Sequence, residues 1–337
     1  MSRRITALSL GAGVQSTTLA LLAVEGALPR PDVAIFADTG WEPAAVYAHL
    51  DRLAVVLADA DIEMIKVSKG DLRADMLNPD TRFASIPYFV LAPEGTTRDP
   101  IYADEEDEDG NLAIVGYGPE RPLTRHEREG MARRQCTSEY KLGPIGRKVR
   151  ELLGAKAPDF RRVPKGAHCE QWIGFSTDEI HRVSDNDRVS YVTKRYPLLE
   201  LEMSRKDCER WLGVRGWSTT KSACIGCPYH GNRQWRELRD NHPVEWADAI
   251  AFDEGIRQGA RGGSGGQLNG QAFLHRSRLP LVIAPIDRVT SNEWRSRQTD
   301  LLDAVADAEA GYDPDEDGDA DGCSPYGCRS GAPVGAA

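Results

Sequence analysis

Two short segments concentrate the side chains and main-chain groups able to do chemistry. The first is Gly11-Ala12-Gly13-Val14-Gln15-Ser16-Thr17. Small residues let backbone N–H groups close on an anion, a following helix adds the positive end of its dipole, and the hydroxyls of Ser16, Thr17 and Thr18 are further donors. No Lys follows the last glycine, as a Walker A loop requires, and the spacing is not G-x-G-x-x-G. A plain strand-to-helix connection would look the same in isolation. The second segment is Cys224-Ile225-Gly226-Cys227-Pro228-Tyr229-His230. Thiolates two residues apart on a tight turn can grip one metal ion or cluster. Cys136, in Arg134-Gln135-Cys136-Thr137-Ser138-Glu139-Tyr140-Lys141, is a third thiol. The candidate metal ligands are therefore Cys136, Cys224 and Cys227, and a closed zinc site would add His230. The bland alternative is that these cysteines are small buried hydrophobes.

The elements that must position these groups are legible around them. Ile5 to Leu10 reads as a buried strand, with a helix from about Ser16 to Glu25 that stops at Gly26. Val33 to Ala37 reads as a second strand. Pro43 opens a second helix, on which Val46, Leu50, Leu53 and Leu57 form one apolar stripe. Ile62 to Val67 reads as a third strand. This alternation predicts an α/β fold: an open, mainly parallel sheet with helices on both faces, and a helical C-terminal part. Residues 71–135 break the rhythm and read as an insertion able to cover the site. Helical character returns at Ile145 to Leu153, and Gln171 to Ser176 reads as another inner strand. The expected units are 1–203, carrying the Gly-rich turn and the insertion, 204–303, helical with the cysteine pair, and 304–337, an acidic and largely disordered tail. The Gly-rich stretch 259–270 reads as a flexible loop.

Composition bounds the answer. The chain has 337 residues, 40% hydrophobic and 28% charged, with a formal net charge of −10; these are the proportions of a globular protein. The acid is concentrated in Asp104 to Asp109 and Asp313 to Asp321, whereas Arg121 to Arg150 is strongly basic, so a phosphate-facing surface is compatible with the acidic total. No apolar run is long enough for a membrane span, and the N-terminus reads as a first strand rather than a signal peptide. Seven cysteines, an odd number in a long chain, suit a reducing, cytoplasmic setting better than a disulfide framework.

The same residues carry a family resemblance. Gly11 to Thr17 resembles the SGGxDS PP-loop of the adenine nucleotide α-hydrolase superfamily. Phe36-Ala37-Asp38-Thr39-Gly40-Trp41-Glu42 resembles the second-strand signature of its phosphoadenosine phosphosulfate (PAPS) reductase-like branch. Gly174-Phe175-Ser176-Thr177-Asp178-Glu179-Ile180-His181-Arg182 is similar to the family's GxRxxExxxR element, keeping Gly174, Glu179 and Arg182. Here Gly11-Ala12 replaces the leading Ser-Gly of the loop and Gln15 its Asp. The resemblance runs to about residue 257.

The resemblance implies an adenine nucleotide, ATP or PAPS, with Mg²⁺, held by Ser9, Gly11, Ala12, Gly13, Gln15, Ser16, Thr17, Phe36, Asp38, Thr39 and Gly174. Ser16, Glu179 and Arg182 are the implied catalytic residues. It also favours a [4Fe–4S] cluster over Zn²⁺ at Cys136, Cys224 and Cys227, with a fourth ligand from Cys169, Cys208, Cys323 or Cys328, or none. The implied activity is cleavage between the α- and β-phosphates of ATP, adenylating an acceptor for sulfur transfer. That acceptor would be a nucleic acid or a small molecule, served by a sulfur donor. The alternatives are a PAPS or adenylylsulfate reductase served by a thioredoxin-like reductant, and a non-catalytic nucleotide- or zinc-binding module. Against the reductase, the family's C-terminal Glu-Cys-Gly-hydrophobic-His segment is missing, though Cys323 and Cys328 lie near the C-terminus. No membrane partner is expected, and a homodimer is among the open oligomeric states.

Overall fold

Apolar spacing alone accounts for the first seventy residues. Strand β1 (Arg4–Leu10) buries its last four residues and feeds helix α1 (Val14–Val24) through the turn at 11–13. Gly26, at φ 79°, turns the chain out of that helix. Strand β2 (Val33–Asp38) follows, and Pro43 caps helix α2 (Ala44–Asp59). The predicted stripe of α2, Val46, Leu50, Leu53 and Leu57, is wholly buried at 0% exposure. Each such side chain contributes about 2 kcal/mol of burial. Strand β3 (Glu63–Ser68) closes the unit. This computed structural model describes residues 3–78, 80, 86–106, 112–183, 189–218, 222–258, 270–291, 293–294, 305 and 308–309. The expected loop at 259–270, save Gly270, nearly all of the expected tail and its Cys323 and Cys328 lie outside the described residues.

The expected insertion contains more regular structure than its sequence suggests. Helix α3 (Leu72–Leu77) is capped by Asp71, whose carboxylate accepts the Ala74 N–H at 2.8 Å. Strands β4 (Phe89–Leu91), β5 (Thr96–Glu106), β6 (Leu112–Pro122) and β7 (Glu129–Met131) follow. The β5–β6 pair is a two-stranded antiparallel arm. Its apolar side chains stay in solvent, with Val115 65% and Tyr117 62% exposed. With no core face to mark them, these strands left no clean period-two signal.

Helix α4 (Gly143–Leu152) leads to β8 (His168–Trp172), β9 (Val192–Arg195) and the short α5 (Pro197–Glu200). Strand β8 ends at Trp172, short of the predicted Ser176, and the chain continues as a turn into the 3₁₀ segment Thr177–Arg182. Helices α6 (Arg205–Gly213), α7 (Asn232–Asn241) and α8 (Pro243–Gly255) precede the short strand β10 (Gln271–Phe273).

The central sheet has the order β3-β2-β1-β8-β9 and every pairing is parallel. One face is covered by α1, α2 and α6 through Leu19, Leu50, Leu53 and Leu212. The other packs Ala7, Val33 and Ile35 against Ile145, Val149 and Leu153 of α4 and its end. The α/β class and the two-sided cover are those predicted. A third core joins Trp41, just past β2, to Leu72 and Met76 of α3, Tyr140, Trp235 and Phe252. It binds the insertion and the C-terminal helices to one another at the carboxyl end of β2. The small sheet β10-β4-β7 sits with this third core.

Candidate functional site

Parallel strands aim their carboxyl ends at one edge, and the turn between β1 and α1 lies there. Ala12 occupies the left-handed region at φ 57°, and Gly13 caps α1 from an extended conformation with no side-chain cap bond. The first amides of a helix have no intrahelical acceptor, and those of α1 follow directly on this turn. Ser16 Oγ accepts the Gly11 N–H at 3.1 Å and donates to the Gly13 carbonyl at 3.2 Å. That hydroxyl holds the bend closed.

The neighbouring hydroxyls act differently from the sequence-based expectation. Thr17 is fully buried and bonds His49 Nε2 at 2.9 Å. Thr18 donates to the Val14 carbonyl at 2.9 Å, within its own helix. Both point inward because residues 17 and 18 of α1 fall on its core face. Their side chains therefore fix the helix, and Ser16 is the hydroxyl of the three that belongs to the bend. Burial pushes the His49 imidazole down to about 4, with the nearby Arg52 charge adding to the shift. Ser9 is likewise buried and accepts the Gln171 amide at 2.9 Å, a link between β1 and β8. Phe36 is in the core of the α1–α2 face.

Gly174 lies directly against the start of α1. A Cβ there would stand 3.1 Å from Ser16 N and 3.2 Å from the Gln15 carbonyl carbon, a close approach that favours glycine because backbone would have to give. This contact brings the 174–182 element onto the turn. Gln15 Nε2 reaches Glu179 Oε2 at 3.3 Å and Ser176 Oγ at 3.4 Å. Glu179 in turn pairs with Arg182, whose guanidinium lies 4.8 Å from the Phe175 ring centroid. Burial raises the Glu179 carboxyl against the opposing pull of Arg182. The Gln15 that replaces the expected Asp thus serves as an amide bridge between the turn and Glu179.

Past β2, Asp38 accepts from the Gly40 N–H and from the Tyr47 hydroxyl, both at 2.8 Å, and lies 3.9 Å from Lys66. Thr39 is fully buried and points to the cysteine loop, with its Oγ1 3.3 Å from Cys224 Sγ and 3.1 Å from Glu42 Oε1. The loop is tied down on both sides. Ser222 donates a short hydrogen bond to the Gly11 carbonyl, and the Ile225 N–H bonds the Trp41 carbonyl at 3.0 Å. At Gly226 a Cβ would overlap the Trp41 ring, at 2.1 Å from its edge. The Cys-Ile-Gly-Cys turn is therefore moulded on Trp41, beside the Gly-rich bend.

Cys136, Cys224 and Cys227 line one pocket, together with Thr39, Arg134 and Lys141. Lys141 stands on a π-helical turn, Thr137–Leu142, that runs into α4, a distortion often found at functional positions. Its ammonium lies 3.4 Å from Glu42 Oε1, the Glu42 side chain being 0% and the Lys141 side chain 13% exposed. Burial disfavours the ammonium, but the Glu42 carboxylate, with Cys224 and Cys136 beyond it, holds its affinity for the proton above the ordinary. Burial, with Glu42 next to it, pushes the Cys224 thiol well up, and Lys141 opposes that shift.

A metal or cluster at this pocket can be tested against the donors present. None of the five described cysteines is in a disulfide. The three pocket thiols are soft donors suited to iron–sulfur clusters or zinc, and Glu42 Oε2 is buried with no hydrogen-bond partner. The chemistry fits. Among the described residues no three His, Cys, Asp or Glu side chains converge into a ready-made metal clasp. Two suggested fourth ligands are not among the residues that line this pocket. Cys169 packs in the α4 face and Cys208 in the α1 face, each fully buried, with burial pushing each thiol up to about 12. His230, the zinc alternative, sets its Nε2 3.1 Å from the Cys224 carbonyl and packs edge-on to Trp235.

The fold thus gathers Gly11, Ala12, Gly13, Gln15, Ser16, Gly174, Glu179 and Arg182 at one sheet edge, with the three thiols adjoining across Ser222 and Thr39. Sequence reading missed Ser222, Glu42 as a site residue, and the Glu42–Lys141 pair. Glu42 closes the quoted Asp-Thr-Gly-Trp-Glu segment, and a charged residue after a buried Trp was the available signal. No protein-family model, no curated protein and no solved structure matches the chain.

Proposed function

We propose that the protein is a PP-loop enzyme of the PAPS reductase-like kind, cleaving ATP between its α- and β-phosphates to adenylate an acceptor for sulfur transfer. The observation that carries this reading is the Ser222 bond to the Gly11 carbonyl. It sets a thiol-lined pocket against a Gly-rich bend at the carboxyl edge of a parallel sheet, where ligands of open α/β folds bind.

In this reading the amides at the start of α1 and the Ser16 bend grip the polyphosphate, with Mg²⁺ sharing its charge. An acceptor oxygen attacks the α-phosphorus, the bond to the bridging oxygen breaks, and pyrophosphate leaves. Arg182, held by Glu179, offsets charge growing on the phosphoryl oxygens, and Gln15 keeps that pair against the bend. Positioning and preorganised charge supply most of the rate. Cys136, Cys224 and Cys227 would hold a [4Fe–4S] cluster, which brings sulfur-handling chemistry beside the adenylated acceptor. A sulfur donor then replaces the activated oxygen and AMP is released.

The decisive assay uses protein purified without oxygen. Iron and acid-labile sulfide are measured, and ATP and PAPS are offered separately with a sulfide donor and candidate acceptors. AMP and pyrophosphate formed from ATP are expected. Sulfite released from PAPS with a thiol reductant, and no AMP from ATP, overturns the proposal in favour of a reductase.

A further inference from the structure

Behind two lining residues of the pocket, Cys224 and Lys141, stands a buried donor that is not a cysteine. Glu42 follows the buried Trp41 just after β2, and its side chain is completely shielded from solvent. A buried carboxylate is costly unless its lone pairs are satisfied. Here one oxygen is well served. Oε1 accepts the Thr39 hydroxyl at 3.1 Å and faces the Lys141 ammonium at 3.4 Å. Cys224 Sγ lies 3.7 Å from the same oxygen. The other oxygen, Oε2, is buried and takes no hydrogen bond. Ligating carboxylates are commonly arranged this way, one oxygen fixed by outer partners and the other left for the metal.

We infer that Glu42 is the fourth protein ligand of the metal group held by Cys136, Cys224 and Cys227. The inference rests on the reading of those thiols as ligands and adds a hard oxygen donor to the three soft ones. It also accounts for Lys141. Three thiolates and a carboxylate carry four negative charges, more than either a zinc ion or a [4Fe–4S] core neutralises, and a buried ammonium beside them offsets part of the remainder. The thiols line the pocket without converging, so the set closes as the group binds, as is usual where binding and local folding are coupled.

The test is metal retention, read without any assay of activity. Full-length protein, Glu42→Gln and Lys141→Met are reconstituted anaerobically with Fe²⁺ and sulfide, and separately with Zn²⁺. Iron, sulfide or zinc per chain is then followed during challenge by a chelator. Glu42→Gln keeps the size and shape of the side chain, and apo-protein circular dichroism checks that it folds. Lys141→Met breaks the same ion pair but leaves the carboxylate in place. Glu42→Gln is expected to lose the group at least about tenfold faster than wild type, and Lys141→Met to fall between the two. Equal loss from Glu42→Gln and wild type overturns the ligand assignment and leaves the three-cysteine reading standing. Equal loss from the two variants also overturns it, since Glu42 would then act through the ion pair alone. Wild-type protein that takes up neither iron nor zinc removes both the ligand set and the reading beneath it.

Discussion

Ser16 is the residue on which the bend depends, since its hydroxyl both receives the Gly11 N–H and binds the Gly13 carbonyl. Ser16→Ala deletes two bonds, each worth about 1 kcal/mol. A loss of about tenfold or more in ATP affinity is expected by calorimetry, with the circular dichroism unchanged. Unaltered affinity would remove the phosphate assignment. Histidines give a second residue-scale prediction. Burial holds His49 and His275 down to about 4 in the native state. Between pH 6.5 and 4 the unfolded chain therefore takes up protons that the native chain refuses. Stability falls as pH falls through that window, by on the order of 3 kcal/mol for each histidine once both states are titrated. His49→Gln, which can still bond Thr17, should flatten its share of the acid limb in urea melts at stepped pH. At this scale the sequence was readable in grouping Cys136, Cys224 and Cys227, since the three line one pocket. It was unreadable where direction decides, as for Thr17 and Thr18, whose hydroxyls turn inward.

At the scale of elements, close packing of main chain against the site explains the glycines better than loop flexibility does. Gly174→Ala would press a methyl against Ser16 N and the Gln15 carbonyl, which are backbone atoms that cannot swing aside. A cost of about 1–3 kcal/mol is expected. Because the displaced atoms belong to the bend itself, nucleotide affinity should fall even where the variant remains fully folded at the assay temperature. Binding at wild-type strength, with only the melting temperature lowered, would detach Gly174 from the site. The first strands and helices were legible from short apolar runs bounded by turns, as in β1 and β2, and from the regular α2 stripe Val46, Leu50, Leu53 and Leu57. The β5–β6 arm was hidden since its apolar side chains, such as Ile114 and Tyr117, are exposed and have no face to alternate against. Glu179 and Arg182 were recognised as a pair three apart, yet they sit on a 3₁₀ turn rather than a regular helix.

On the scale of the whole molecule, the arm keeps its apolar side chains exposed and reaches the rest of the chain through the exposed Arg121–Glu127 pair, a kind of contact worth little. Its base is closed by the Leu123 N–H bonded to the Gly95 carbonyl at 2.8 Å. Replacing residues 97–121 with Asn-Gly, a two-residue hairpin connection, should leave the melting temperature within about 4 °C of the parent. A larger fall by calorimetry would show that the arm is part of the core. The parallel sheet and its two covered faces could be anticipated from spacing alone, whereas the third core could not. It joins Trp41 to Tyr140 and Trp235, and such pairings depend on where distant segments meet. The bond from Ser222 to Gly11 spans 211 residues. Until the C-terminal part has docked, the Gly11 carbonyl must look to water, and the cysteine turn lacks the surface that shapes it. The Gly-rich bend and the thiol pocket therefore take their observed shape only once residues 11 and 222 meet. A chain cut short before Ser222 would keep most of its sheet and possess neither.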